Sequence, residues 1–133
     1  MTGTRIVPIF RVRDIGAAEA FYCGRLGFTV DFRFANGPGG PHYLGVSIDG
    51  QALHLSTFGG DSVMGAAAYI YVDDVDAFFA RVTSLGLTTP GLPDSPVEDG
   101  PTDQTWGMRE FYVRDADRNV LRFGSPLPSR ERA

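Results

Sequence analysis

Apolar and polar positions fall along this chain in two blocks that resemble each other. An apolar run from Ile6 to Val12 leads into Asp14, and a second from Ala68 to Val72 leads into Asp73 and Asp74. Val12-Arg13-Asp14 followed by Leu26-Gly27-Phe28 thus recurs as Val72-Asp73-Asp74 followed by Leu85-Gly86-Leu87, at an offset of about 60 residues. The Asp in each block is placed to cap a helix by accepting its first, otherwise unpaired, backbone N–H groups. In the second block Val75, Phe78, Val82 and Leu85 recur with helical spacing and share one face, and Ile15, Ala18, Tyr22 and Leu26 do nearly the same in the first. Each helix ends at a Gly. Phe21, Phe78 and Phe79 are read as core packing.

After the first helix, Phe28 to Phe34, Tyr43 to Ile48 and Ala52 to Phe58 have strand character. Asp49-Gly50 forms a hairpin turn between the last two. After the second helix, Leu87 to Pro101 is rich in Pro, Gly and Asp and reads as loop with room for a short strand. Met108 to Arg114 and Val120 to Gly124 are strands joined by the turn Asp115 to Asn119. The order is βαβββ, twice. The expected class is α+β: two βαβββ modules, about 5–58 and 66–125, forming a curved mixed sheet with a cleft, within one domain over 1–126. Such four-stranded units have open edges that need covering. Residues 127–133 have little to pack and are expected to form a flexible tail.

Composition narrows the function. A chain of 133 residues with 43% hydrophobic residues can build one core without staples. A net charge of −4, with no Lys/Arg cluster, argues against a nucleic-acid partner. Cys23 is the single cysteine, so no internal disulfide forms. No apolar run approaches bilayer length, so neither a membrane partner nor a targeting signal is expected, and the location follows as cytoplasmic.

The Asp-capped helix ending in Leu26-Gly27-Phe28, with Glu110-Phe111-Tyr112-Val113-Arg114-Asp115 and Asn119, resembles the glyoxalase-like (vicinal oxygen chelate) superfamily over essentially the whole chain. Val7-Pro8-Ile9, Asp31-Phe32, Leu53-His54-Leu55-Ser56, and Trp106-Gly107 with Arg109-Glu110-Phe111 are similar to its bleomycin-resistance branch. Two departures stand out. Met108 separates Gly107 from Arg109, where the family runs straight on, and a Gly/Pro-rich insert at Asn36 to Pro41 should reshape the cleft mouth. The resemblance implies a homodimer with clefts between subunits, often with exchanged N-terminal strands.

Metal-dependent members of the superfamily draw ligands from fixed strand positions, which the resemblance maps onto Val7, His54, Ala67 and Arg122. Only His54 can ligate, and Arg122 would repel a cation. A set built from His42, His54 and Glu110 would break the pattern. No metal, no cofactor and no catalytic residue is therefore expected.

A cleft without a metal acts through apolar area, stacking and a few polar groups. Trp106 is the leading candidate for stacking on a ligand, the alternative being a Trp that closes one end of the core. The resemblance puts Phe32 and Tyr43 in the ligand groove. Phe34, Phe58, Tyr69 and Tyr71 are further candidates, and for all six of these aromatics core packing is the alternative. His54 and Ser56 share a strand face and offer hydrogen bonds. Arg109 either contacts ligand or pairs with a carboxylate across a subunit interface. His54 as a general base would need a partner to set its pKa. The function expected is metal-independent sequestration of an antibiotic or related toxic natural product. The alternative is a glyoxalase-like lyase, isomerase or dioxygenase with a non-standard or metal-free site.

Overall fold

The computed structural model describes residues 3–128, so the part of the expected tail at 129–133 lies outside the described residues. Two compact units are present. Unit one takes residues 3–66 with Asp115–Asn119, and unit two takes Ala67–Arg114 with residues 120–128.

Unit one runs β1 (Ile9–Arg11), α1 (Ile15–Gly24), β2 (Thr29–Ala35), β3 (His42–Ile48) and β4 (Gln51–Ser56). Its sheet has the order β1-β4-β3-β2, with β1 parallel to β4 and the other pairs antiparallel. Asp14 caps α1 as expected, its extended backbone letting the carboxylate accept from Ala17 N at 3.0 Å. Gly27, at φ 81°, then turns the chain in a conformation that a side chain would strain. Ala18, Tyr22 and Leu26 are buried together with Phe10, Leu44, Val46, Leu53 and Leu55, which form the sheet face under α1. The Tyr22 phenol donates to Asp115 at 2.8 Å, so the turn between the last two strands belongs to unit one. Asn119 fastens it further, its amide donating to the Arg11 carbonyl at 2.9 Å and accepting from Ala66 N at 3.0 Å.

Unit two repeats the plan with β5 (Ala67–Tyr71), α2 (Val75–Ser84), β6 (Thr102–Asp103), β7 (Met108–Arg114) and β8 (Val120–Pro126), in the order β5-β8-β7-β6. Asp74 caps α2 through Ala77 N at 3.1 Å. Phe78 packs on Phe123 and Phe111 at 4.5 and 6.3 Å between centroids, and Phe79 meets Phe111 edge-on at 5.0 Å. These contacts fix one face of the second sheet against its helix.

Some expected boundaries move. The first strand is only three residues long because Pro8 has no N–H for the ladder, although its carbonyl still accepts from His54 N at 3.0 Å. Leu85, expected on the buried face of α2, is the C-cap and is 39% exposed. The loop after α2 contains a 3-10 turn at Pro96–Glu98, anchored where Arg114 donates to the buried Glu98, before the edge strand β6. No helix among the described residues is long and apolar enough to cross a membrane.

Candidate functional site

Cross-strand partners in a sheet point to the same side. In unit one the pairs Phe32↔Gly45, Phe34↔Tyr43, Tyr43↔Ser56 and Gly45↔His54 place Phe32, Phe34, Tyr43, His54 and Ser56 on the face away from α1. Phe58 joins them by stacking on Phe34 at 6.3 Å. Phe32 stacks on Tyr43 at 6.0 Å and stands edge-on to His54 at 5.2 Å. Phe32 and Phe34 are 44% and 54% exposed, so this is an open aromatic surface and not a second core.

The polar groups on this face differ in their freedom. The Ser56 hydroxyl is fully buried, donating to Asp61 at 2.6 Å and accepting from Phe58 N at 3.0 Å. It therefore shapes the Phe58 turn and leaves nothing for a ligand. The Tyr43 phenol lies 2.7 Å from His54 Nδ1. Burial pushes the His54 pKa down, against an opposing pull from Asp31. Tyr43 is thus the partner for His54 that the sequence did not reveal.

In unit two the pairs Tyr69↔Arg122, Tyr112↔Arg122, Tyr71↔Gly124 and Glu110↔Gly124 set Tyr69, Tyr71, Glu110, Tyr112 and Arg122 on the face away from α2. Glu110 is fully buried at its centre. It accepts from Tyr69 at 2.6 Å, from Arg122 at 2.9 Å and from Tyr112 at 3.3 Å. Burial pushes the Glu110 carboxyl up, but hydrogen bonds from Tyr69 and Arg122, the guanidinium charge and the Trp106 side chain outweigh it and hold the pKa below the ordinary value. The Arg122 guanidinium lies over the rings of Tyr69 and Tyr112, at 5.3 and 4.7 Å from their centroids. Burial and the Glu110 carboxylate both push the Tyr69 phenol up, so it stays a donor.

Beside this cluster Tyr71 is 72% exposed with its ring 5.0 Å from that of Tyr69, and Trp106 is 58% exposed. Trp106 sits in the loop before β7, which is closed by Gly107 at φ 87° and by Gln104 N donating to Met108 O at 2.7 Å. Arg109 stands on the opposite face. It is held by both oxygens of Asp76 at 3.0 Å and by Asp103 at 2.8 Å, so its carboxylate partners lie within its own unit.

Sequence reasoning therefore named the aromatic members of these faces other than Tyr112, weighed Glu110 only as a metal ligand, and missed the stacking role of Arg122. The alternation in Glu110-Phe111-Tyr112-Val113-Arg114 carried the signal, since Phe111 and Val113 mark one face as core and assign the other three residues to the opposite face. The Asn36 to Pro41 insert borders a different depression of about 500 Å³ that includes Arg13 and His42.

A divalent ion fits neither face. Among the described residues no three His, Cys, Asp or Glu side chains converge. His54 has one ring nitrogen left but no pair of further ligand groups beside it, and Glu110 is engaged by two phenols and a guanidinium.

Comparison with known proteins agrees with this fold. The pattern described as glyoxalase superfamily protein matches residues 1–125. The chain belongs to the glyoxalase superfamily. Among similar proteins, the bleomycin resistance proteins of Geobacillus stearothermophilus and Staphylococcus aureus are each 25% identical over 142 residues, spanning 92% of this chain and 97% of the relative. A bleomycin-binding protein solved in complex with bleomycin superposes with a TM-score of 0.70 at 24% identity, covering 92% of this chain and 98% of that one. The bleomycin-binding protein of Streptomyces verticillus, solved with copper(II)-bleomycin, superposes with a TM-score of 0.66 at 24% identity, covering 97% and 99%. These superpositions establish a shared fold.

Proposed function

We propose that this superfamily member binds an aromatic antibiotic or related toxic natural product in the cytoplasm and protects by sequestering it, without transforming it and without a metal. The observation that carries the reading is the open aromatic surface of unit one, where Phe32 and Phe34 are exposed beside Tyr43, His54 and Phe58. A soluble chain gains nothing structurally from several large rings in water, whereas a planar ligand would bury them. Tyr69, Tyr71 and Trp106 offer a second, more polar stacking surface in unit two. Relatives that bear the name bleomycin resistance protein, or were solved with bleomycin, support an antibiotic as the ligand class. Arg109 is left out of the contact set because Asp76 and Asp103 occupy it.

The reading includes a homodimer with an exchanged N-terminal strand, supported by Ile6, which is 92% exposed and precedes the ladder that begins at Ile9. Light scattering on the purified protein should return twice the chain mass.

The main test is calorimetric titration with a panel of glycopeptide and polycyclic aromatic antibiotics, including bleomycin. Expected are saturable binding near one ligand per chain, recovery of the compound with unchanged mass, and protection of a sensitive host. Catalytic turnover of a bound compound, or close to one tightly held divalent ion per chain, would contradict the reading.

A further inference from the structure

The aromatic surface of unit one contains one hydrogen-bonding atom, His54 Nε2, that has no partner among the described residues and whose role follows from the bond made by the other ring nitrogen. A neutral imidazole carries one donor and one acceptor nitrogen, and the hydrogen bond made by the first decides the role of the second. Tyr43 Oη lies 2.7 Å from His54 Nδ1. Burial and the charge of Asp61 push the Tyr43 phenol up, so it keeps its proton; a phenol O–H is the better donor and a neutral imidazole nitrogen the better acceptor of the pair, which favours donation from Tyr43 to Nδ1. Burial also disfavours the imidazolium form of His54. With Nδ1 accepting, the ring proton resides on Nε2.

Nε2 has no hydrogen-bond partner among the described residues. It is not sealed away either, since the buried side-chain polar atoms that lack partners are Arg11 Nε and Arg122 Nε. The charged groups that act on His54 are Asp31 and Arg5, and neither bonds to it. Gly45, its cross-strand partner on β3, has no side chain to cover the ring, and Phe32 touches it edge-on at 5.2 Å. The result is a lone N–H donor within an exposed aromatic patch.

We propose that Tyr43 locks His54 in the Nε2–H tautomer and that this N–H selects, among planar aromatic ligands, those with a carbonyl or similar acceptor at the ring edge. The inference rests on the ligand-binding reading above and adds the chemical class. A ligand lying on Phe32 and Phe34 without an acceptor would strip water from Nε2–H and return nothing, whereas an acceptor would replace the lost water. Leaving such a donor unpaired weakens binding by about tenfold or more. Tyr43 is a positioning residue, since it acts on the ligand through the imidazole.

The test uses the full chain and a matched pair of probes, fluorenone and fluorene, each with the same triethylene glycol chain for solubility. Nitrogen-15 NMR of the free protein should show a protonated Nε2 and an unprotonated Nδ1, and Tyr43→Phe should shift His54 toward a mixture of tautomers. Fluorenone should bind about tenfold more tightly than fluorene. His54→Leu should abolish that preference, so that the two probes bind alike, and Tyr43→Phe should reduce it. A proton on Nδ1, equal binding of the two probes, a preference that survives His54→Leu, or failure of both probes to bind would each overturn the proposal. The first result needs only the native protein, so it stands even if a variant misfolds. Sequestration itself is judged by the antibiotic panel, and can survive when this selectivity fails.

Discussion

Gly45 lies directly beneath the ring of Phe32: a Cβ built on Gly45 would stand 2.1 Å from Phe32 Cε2. The two residues are cross-strand partners, and the missing side chain is what lets Phe32 lie flat beside Tyr43 and His54. Gly45→Ala must therefore swing the ring out. The added methyl reduces backbone freedom in the unfolded chain, worth about 0.5–1 kcal/mol, and the lost ring contacts cost about 0.5–1.5 kcal/mol. Stability should change by less than about 1 kcal/mol. Ligand affinity should fall by a larger factor, because the platform itself has moved. Chemical denaturation and calorimetry on the same variant separate the two effects, and unchanged affinity would remove Phe32 from the binding surface.

Gly124 plays the matching part in unit two, with a harsher consequence. A Cβ there would lie 2.2 Å from Tyr69 Oη and 3.3 Å from Glu110 Cβ. Gly124→Ala must break the Tyr69 bond to the buried carboxylate, and hydrogen bonds to charged groups contribute about 1.5–3 kcal/mol. A melting-temperature loss clearly larger than that of Gly45→Ala is expected. If the two variants melted alike, Glu110 would not depend on Tyr69.

Glu110 should also give the protein a marked acid sensitivity. Its pKa is lower in the folded chain than in the unfolded one, so the carboxylate contributes its full stabilisation above the unfolded value, near 4.5. That contribution is lost as pH falls from there through the folded pKa. Urea unfolding at a series of pH values from 7 to 3 should show the loss below about pH 4.5. Glu110→Gln should flatten that part of the profile and lower stability at pH 7. Removing one partner of a buried pair costs about 3–5 kcal/mol, and because the Arg122 side chain is 35% exposed the lower end applies. An unaltered acid limb in the variant would assign it to other carboxylates.

The architecture was legible because each element carries its own local signal. Asp14 and Asp74 announce the two helices, the spacing of Val75, Phe78 and Val82 gives the buried face of α2, and Asp49-Gly50 turns a hairpin with both residues at positive φ. What the sequence does not show is which side of each sheet an aromatic residue takes. In β2 that depends on a register shift between Val30 and Phe32, where Asp31 is the extra residue and Ser47 donates to its side chain at 2.9 Å. Without that bulge Phe32 and Phe34 would turn toward α1, since a slip of one residue reverses every side chain. Glu110 was hidden for a different reason. A charged residue in a strand reads as solvent-facing, and only the convergence of Tyr69, Tyr112 and Arg122 from neighbouring strands explains its burial.

Trp106 is the only Trp of the chain and is 58% exposed, so its fluorescence reports one place without ambiguity. Emission of the free protein should lie near that of a solvated indole. If the indole stacks on the ligand, as its position beside the Tyr69 and Glu110 cluster suggests, saturation with a bound antibiotic should quench and blue-shift it. Trp106→Phe should keep a flat stacking surface and lose little affinity, while Trp106→Ala should weaken binding by roughly 0.5–1.5 kcal/mol, a factor of about 2 to 12. Both variants should fold with stability within about 0.5 kcal/mol of the native chain, since an exposed ring contributes little to the core. The distinction matters because the indole influence that helps to hold down the Glu110 pKa is lost in both. A drop in affinity common to both would place the effect at Glu110, and a drop confined to Trp106→Ala would place it in the stacking ring.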